Sequence, residues 1–529
     1  MLTYFRRLSA GWLLGLILLL AILLRVCFFV GLVSGDPQDD GVYYGNALAL
    51  YNHGPRYLER FRNAPVDSPA NPIDQFYVRP MVTYPIAASF IVFGPGEISA
   101  TFWGFLCSML SVLVVYRLGF VLHGRTAGLI AALLCSFYPL EVINGTRILS
   151  DVQVGLFSSL GLLLLVEASL RGNAMLYALS GAAAGGAYLA NGRGLIIFLA
   201  LLSCALLMWI WRKTSWHAPL WLVAGFLVIF SIEAIIYYRA TGDPFLSYRI
   251  QNGASQYKYL HEPFASIRWG WLDIRYTNGE PLAMTRSVLL RNTGPTDQFG
   301  FFFYLFFAAA LFSLVRRQNL LLLALALGLF LYLEFGPVRL SIDWTHQELQ
   351  YLMVFKQQRF LLMLTAPFVL LAAYFLVAIG RRTRVTAAVL IVTLFVTSIA
   401  AIARTRNYYR SGLRDLRTIA DYVLSNPDRA FVGDFWAVLD LRIFTRYQAH
   451  NLRILDSHTT RDDLRHACVM LGGSRGVELL ADYVESTLPT FAREILSTGA
   501  VPSDWKLVRE IKGELSAQRR RDFKVYCVP

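Results

Sequence analysis

The sequence predicts an α-helical polytopic membrane protein of about eleven transmembrane helices, followed by a small C-terminal α/β domain. Three observations predict it. Apolar runs of about 20 residues recur from the start, each long enough to cross the roughly 30 Å hydrocarbon layer as a helix. The 529 residues are 56% hydrophobic with a mean hydropathy of +0.48, too apolar for a water-soluble fold. Beyond residue 403 the pattern turns charged and turn-rich and can no longer span.

Backbone polar groups in lipid must be satisfied within their own segment, so the apolar runs are helices. The first, Gly11 to Val33, is longer than a signal-peptide core and lacks a small-residue cleavage site, so it reads as an uncleaved span. The others fall at 97–116, 125–140, 152–170, 174–190, 194–211, 218–238, 299–315, 319–336, 358–379 and 384–403. The stretch from Pro80 to Phe93 reads as a re-entrant or interfacial helix.

The net charge of +14 is mostly topology. Short loops at alternate crossings carry Arg6 and Arg7, Arg117 and Arg125, Arg171, Arg212 and Lys213, Arg316 and Arg317, then Arg381, Arg382 and Arg384. Positive charge marks the cytoplasmic side, which puts the N-terminus there and argues against a nucleic-acid surface. Loops 34–96, 141–151, 239–298 and 337–357 then lie outside with the tail, so 1–403 is the membrane module and 404–529 an extracytoplasmic α/β domain. In that domain Leu413 to Leu424 has helical periodicity, and Ala430 to Gly433 and Asp522 to Val528 read as strands. Cys27, Cys107, Cys135 and Cys204 lie in spans as packing residues, whereas Cys468 and Cys527 share the outer tail, where a disulfide is permitted.

Two outer loops of some 60 residues are more than a bundle needs to pass helices through lipid. Loops beyond about 15 residues are usually functional or disordered, and the Tyr, Trp and Pro in these disfavour disorder. The first carries Asp36, Asp39 and Asp40 just past a membrane exit, then Tyr43, Tyr44, Ala47, Leu48 and Tyr51 at helical spacing. An interfacial helix capped by an aspartate accounts for one carboxylate, not three. In the second loop Arg147 stands four residues before Asp151, one helical turn away.

Arg25 lies inside the first span, where an arginine is expensive; it is read as a substrate contact or as a partner of the aspartates. Lys356 and Arg359 sit at the outer interface, able to grip a lipid phosphate or merely to anchor. His346 nearby is a lone histidine carried only as a binding candidate. In 239–298, Tyr248, Trp269 and Trp271 interleave with arginines, which suits sugar stacking or an interface belt. Asn144-Gly145-Thr146 matches a glycosylation triplet, and Gly472-Gly473-Ser474-Arg475-Gly476 reads as a turn. No Walker or dinucleotide motif is present, so a nucleotide-sugar donor and ATP coupling are unsupported.

Asp39-Asp40 past the first span, followed by Tyr43-Tyr44 and an amphipathic helix, resembles the membrane glycosyltransferases of the GT-C fold. The likeness is to the branch of protein O-mannosyltransferases and lipid A aminoarabinose transferases. Arg79-Pro80 with Tyr84-Pro85, Phe93-Gly94, Tyr138-Pro139 with Arg147 to Asp151, and Arg359-Phe360 with Pro367 extend it. It covers roughly residues 10–210 well and 340–380 loosely, and nothing in the tail.

The resemblance implies a polyprenyl-phosphate-linked sugar as donor, a glycan, lipid or protein acceptor, and inversion. It implies Asp39 or Asp40 as general base, Asp151 as second acidic position, and Tyr43, Tyr44, Arg79, Arg147, Arg193 and Arg359 as binding candidates; Arg25, His346 and Lys356 join them by position alone. Arg193, in Ala190-Asn191-Gly192-Arg193, stands where the family often has an arginine entering its sixth span after a Gly-rich fifth. A divalent ion on the carboxylates is an open expectation, and the implied location is the bacterial inner membrane. A lipid-linked glycan ligase or polymerase is the near alternative. A transporter or flippase is the distant one, disfavoured because the acidic residues cluster at one interface and no repeat is visible.

Overall fold

A computed structural model describes residues 10–32, 37–62, 79–250, 265–276, 281–289, 298–343, 347–353 and 357–433. In the tail it describes 438, 441–442, 444–445, 448–455, 459–471, 489–491, 501–511 and 523–529.

Each expected span falls on an apolar helix. These are α1 (Ala10–Cys27), α4 (Glu97–His123), α5 (Arg125–Ser136), α7 (Asp151–Arg171), α8 (Ala174–Ala190), α9 (Gly194–Ile210), α10 (His217–Thr241), α12 (Phe302–Val315), α13 (Leu320–Phe335), α14 (Thr365–Arg382) and α15 (Arg384–Leu424). Five stretches among the described residues are long and apolar enough to cross a membrane by length and composition: Glu97–His123, Asp151–Arg171, His217–Thr241, Gln358–Arg382 and Arg384–Arg410. Large apolar side chains such as Val26, Ile98, Ile235, Phe307 and Val385 stay exposed, which suits surfaces solvated by lipid. The first helix stops at Cys27, short of the expected Val33, and the chain then turns through Gly31 (φ 78°). A Cβ on Gly31 would lie 2.0 Å from Glu97 Oε1.

Small residues bring the helices together, since lipid supplies no hydrophobic drive between them. A Cβ on Gly181 of α8 would lie 1.8 Å from the Leu222 carbonyl oxygen of α10, and one on Gly225 1.8 Å from that of Ala178. Any side chain there would force α8 and α10 apart.

The loops expected on the outer side are folded over their described residues. The first contains α2 (Pro37–His53), a 3-10 helix at Gly54–Arg62 and α3 (Pro80–Phe93). The expected stripe is buried at Tyr43, Tyr44, Ala47 and Leu48, whereas Tyr51 is 42% exposed. The second contains α6 (Pro139–Asn144), wholly buried. Strands β1 (Ala265–Trp269), β2 (Leu272–Tyr276), β3 (Pro337–Asp343) and β4 (Glu348–Met353) form one sheet in the order β1-β2-β4-β3. It joins loops 239–298 and 337–357 through the parallel pairing of β2 with β4. Between them α11 (Ala283–Leu289) packs near α13 and donates the Thr285 amide to Glu334 Oε2 at 2.8 Å.

The final helix carries the chain past residue 403 without a break, so membrane module and tail share it. Its end buries Ile419, Ala420 and Val423 against a five-stranded sheet, order β6-β5-β7-β9-β8, of β5 (Ala430–Gly433), β6 (Leu452–Ile454), β7 (Ala467–Leu471), β8 (Lys506–Ile511) and β9 (Phe523–Cys527). β5 runs parallel to both neighbours, and β9 antiparallel to both of its own. Cys468 and Cys527 face each other across β7 and β9 and form a disulfide. The segment 472–476 lies outside the described residues.

Candidate active site

Two carboxylates and the three arginines that face them define the site, drawn from four separate stretches of chain. Asp40, in the first turn of α2, is 2% exposed and stands 3.8 Å from Arg147 Nη2. Asp151, at the start of α7, faces Arg193 Nη1 at 3.7 Å and Arg359 Nε at 3.4 Å. The expected one-turn pairing of Arg147 with Asp151 does not form. Residues 145–150 are turns and bends and the helix begins only at Asp151, so helical spacing does not apply there.

Arg79 joins the two halves. Its Nη1 donates to the Tyr43 hydroxyl on α2 and, at 3.4 Å, to Ser150 Oγ beside Asp151. Asn191 Nδ2 also donates to Ser150 Oγ, at 3.1 Å, while its Oδ1 accepts the Arg193 amide. That fixes the tight turn between α8 and α9 and aims Arg193 at Asp151. The Arg193 guanidinium lies 3.3 Å from the Phe360 ring centroid, and Arg359 5.8 Å from the same ring.

Arg193 and Arg359 thus flank one carboxylate, and Arg79 reaches Ser150 beside it. Burial lowers the Arg193 pKa below the usual arginine range; Asp151 opposes this, and the charges of Arg79 and Arg359 reinforce it. Such a surplus of half-buried positive charge is complementary to an anion, and the planar fork of arginine matches phosphate oxygens.

Arg25 is elsewhere. It is wholly buried between helices, where Nε and Nη2 donate to Ser108 Oγ at 3.0 and 2.7 Å and Nη1 to the carbonyls of Ala21 and Ser136. Ser108 and Thr365 hydroxyls donate to Glu141, the carboxylate that balances it. Arg25 therefore braces α1, α4, α5, α6 and α14, away from the described Asp40 and Asp151. Tyr44 is packed too, its ring 5.1 Å from Phe90. The Asn144 triplet is buried, with Nδ2 donating to Leu140 O and Gln298 Oε1, which bars glycosylation of the folded chain. Trp269, Trp271 and Tyr248 are exposed. The Asp39 side chain, His346 and Lys356 lie outside the described residues.

Glu141, Ser150, Asn191 and Tyr409 were given no site role from the sequence. Among the described residues no group of three or more His, Cys, Asp or Glu converges, and Asp40 and Asp151 both face arginines. The described donor set does not fit a divalent ion, and no step is derived through one.

A family model described as dolichyl-phosphate-mannose-protein mannosyltransferase matches residues 72–238. No curated protein matches the sequence. Among solved structures, apo ArnT from Cupriavidus metallidurans is similar with a TM-score of 0.57 at 13% identity, over 97% of this chain and 98% of that one. The same protein bound to undecaprenyl phosphate gives 0.57 at 13%, over 98% of each chain. The oligosaccharyltransferase of Archaeoglobus fulgidus, in complex with Zn and sulfate, gives 0.53 at 14%, over 83% of this chain. This chain spans only 62% of the length of that archaeal protein. These likenesses are of fold, and with the apolar helices they make the chain a multi-pass membrane protein with the GT-C glycosyltransferase fold.

Proposed function

We propose that this chain is an integral membrane glycosyltransferase that moves a sugar from a polyprenyl-phosphate donor to an acceptor hydroxyl on the extracytoplasmic side. The observation that carries the reading is Arg193 and Arg359 on Asp151, with Arg79 at the neighbouring Ser150, beside the Asp40–Arg147 pair. A lipid phosphate at the arginines puts the anomeric carbon next to a carboxylate. The matched mannosyltransferase family and the ArnT complex with undecaprenyl phosphate support the same donor class. By the positive-inside rule the site lies on the outer face of the membrane, here read as the bacterial inner membrane, with the N-terminus cytoplasmic and the tail outside.

In this mechanism the Asp40 carboxylate accepts the proton of the acceptor hydroxyl as its oxygen attacks the anomeric carbon from the face opposite the phosphate. The bond from that carbon to the phosphate oxygen breaks, its electron pair stays on the phosphate, and configuration inverts. A positioned carboxylate contributes about 10²- to 10⁴-fold. The arginines stabilise the negative charge that develops on the leaving group. Arg147 balances and orients Asp40, and Asp39, one residue earlier, is the alternative base.

The test replaces Asp39 and Asp40 by Asn, singly and together, in purified protein, and follows polyprenyl phosphate release with membrane extract as acceptor. Asp40→Asn should lose at least about a hundredfold while staying folded. Full activity in the double variant would remove both carboxylates from the mechanism.

A further inference from the structure

The helix that leads into the tail reaches the site at Tyr409. Its ring lies 4.8 Å from the Arg147 guanidinium, and Arg147 is the partner of Asp40. Arg147 is 2% exposed, and among the described residues its Nε and Nη2 donate no hydrogen bond. Stacking on the ring is therefore a principal constraint on where that guanidinium points.

Beyond the ring, the Tyr409 hydroxyl accepts a hydrogen bond from Gln298 Nε2 at 2.9 Å. Gln298 is buried and reaches both halves of the site. Its Oε1 accepts from Asn144 Nδ2 at 3.1 Å, three residues before Arg147. Its backbone N–H donates to Gln358 Oε1 at 2.9 Å, and the next residue, Arg359, pairs with Asp151. Tyr138 holds this stretch from the other side, its ring 5.7 Å from that of Phe299.

We propose that Tyr409 and Gln298 are positioning residues that hold the Arg147–Asp40 pair in register with the Arg359–Asp151 pair, making the tail-bearing helix part of the transfer apparatus. The inference rests on the reading of Asp40 as the base. It predicts an effect on the chemical step, because a misplacement of about 1 Å can cost up to about 10²-fold in rate. Substrate binding at Arg79, Arg193 and Arg359 is left nearly intact.

The experiment measures kcat and KM of the full-length chain in detergent with a labelled polyprenyl-phosphate sugar. Tyr409→Leu should lower kcat at least about tenfold with KM within about threefold, and Tyr409→Phe, which keeps the ring, should recover most of that loss. In an Arg147→Lys background, Tyr409→Leu should cost less than about twofold more, because its effect runs through the guanidinium. Should Tyr409→Leu fail to fold, Gln298→Met, of similar length without polar groups, should still lower kcat at least about threefold. Tyr409→Leu or Gln298→Met at wild-type kcat, equal loss in the Phe and Leu variants, or a full additional loss in the Arg147→Lys background would overturn the relay alone. No turnover by the wild type with any lipid-phosphate sugar would instead overturn the reading beneath it, and the relay with it.

Discussion

Replacing Arg25 by Leu should destabilise the helical bundle more than replacing Arg25 and Glu141 together. Arg25 is fully buried and makes four hydrogen bonds, two to Ser108 Oγ and one each to Ala21 O and Ser136 O. Its loss strands Glu141, which keeps the Ser108 and Thr365 hydroxyls but loses the cation that balances it. Breaking a buried pair from one side costs about 3–5 kcal/mol, and the orphaned Ser136 carbonyl lies within that figure. Removing both charged groups exchanges the pair for apolar packing, which is often neutral to stabilising. The assay is the apparent unfolding midpoint of Arg25→Leu, Glu141→Leu and the double variant in one mild detergent, read as a double-mutant cycle. The double variant should recover at least about half of the Arg25→Leu loss. A wild-type midpoint for Arg25→Leu, or strictly additive losses, would refute the brace and return Arg25 to the list of substrate contacts.

Arg193→Gln and Arg359→Gln should each weaken polyprenyl phosphate binding at least about tenfold, since a hydrogen bond to a charged group is worth about 1.5–3 kcal/mol; unchanged affinity by equilibrium binding would exclude them as phosphate ligands. Gly181→Ala should cost about 1–3 kcal/mol, because its methyl would meet the Leu222 carbonyl 1.8 Å away, and an unfolding midpoint equal to wild type would contradict that close approach. Alkylation of the denatured, unreduced protein should label four thiols, Cys27, Cys107, Cys135 and Cys204, and reduction should add Cys468 and Cys527; six labels without reductant would contradict the cross-strand disulfide.

The helices were legible because each apolar run is its own signal, and so was the strand at Ala430–Gly433. The partners were not, because they come from tertiary packing. Nothing near Arg25 in sequence marks Glu141 as its counter-ion, and spacing favoured Arg147 with Asp151 where packing pairs it with Asp40. The expected stripe on α2 is buried at Tyr43 and Ala47, and Phe90 of the covering helix α3 packs against both Tyr44 and Tyr51, leaving Tyr51 partly exposed at the edge. Loops 239–298 and 337–357 read as separate, because a parallel pairing such as Leu272 with Leu349 leaves no local pattern. Arg193 stood out by resemblance, and its geometry explains why: Asn191 turns the chain so that the guanidinium meets Asp151.

A lipid-phosphate sugar as donor fixes the stoichiometry of turnover by the purified wild-type chain. Polyprenyl phosphate released should equal sugar transferred, with labelled polyprenyl-phosphate sugars as donors and no turnover of nucleotide sugars. Transfer from a nucleotide sugar, or none from any lipid-phosphate sugar, would contradict the account.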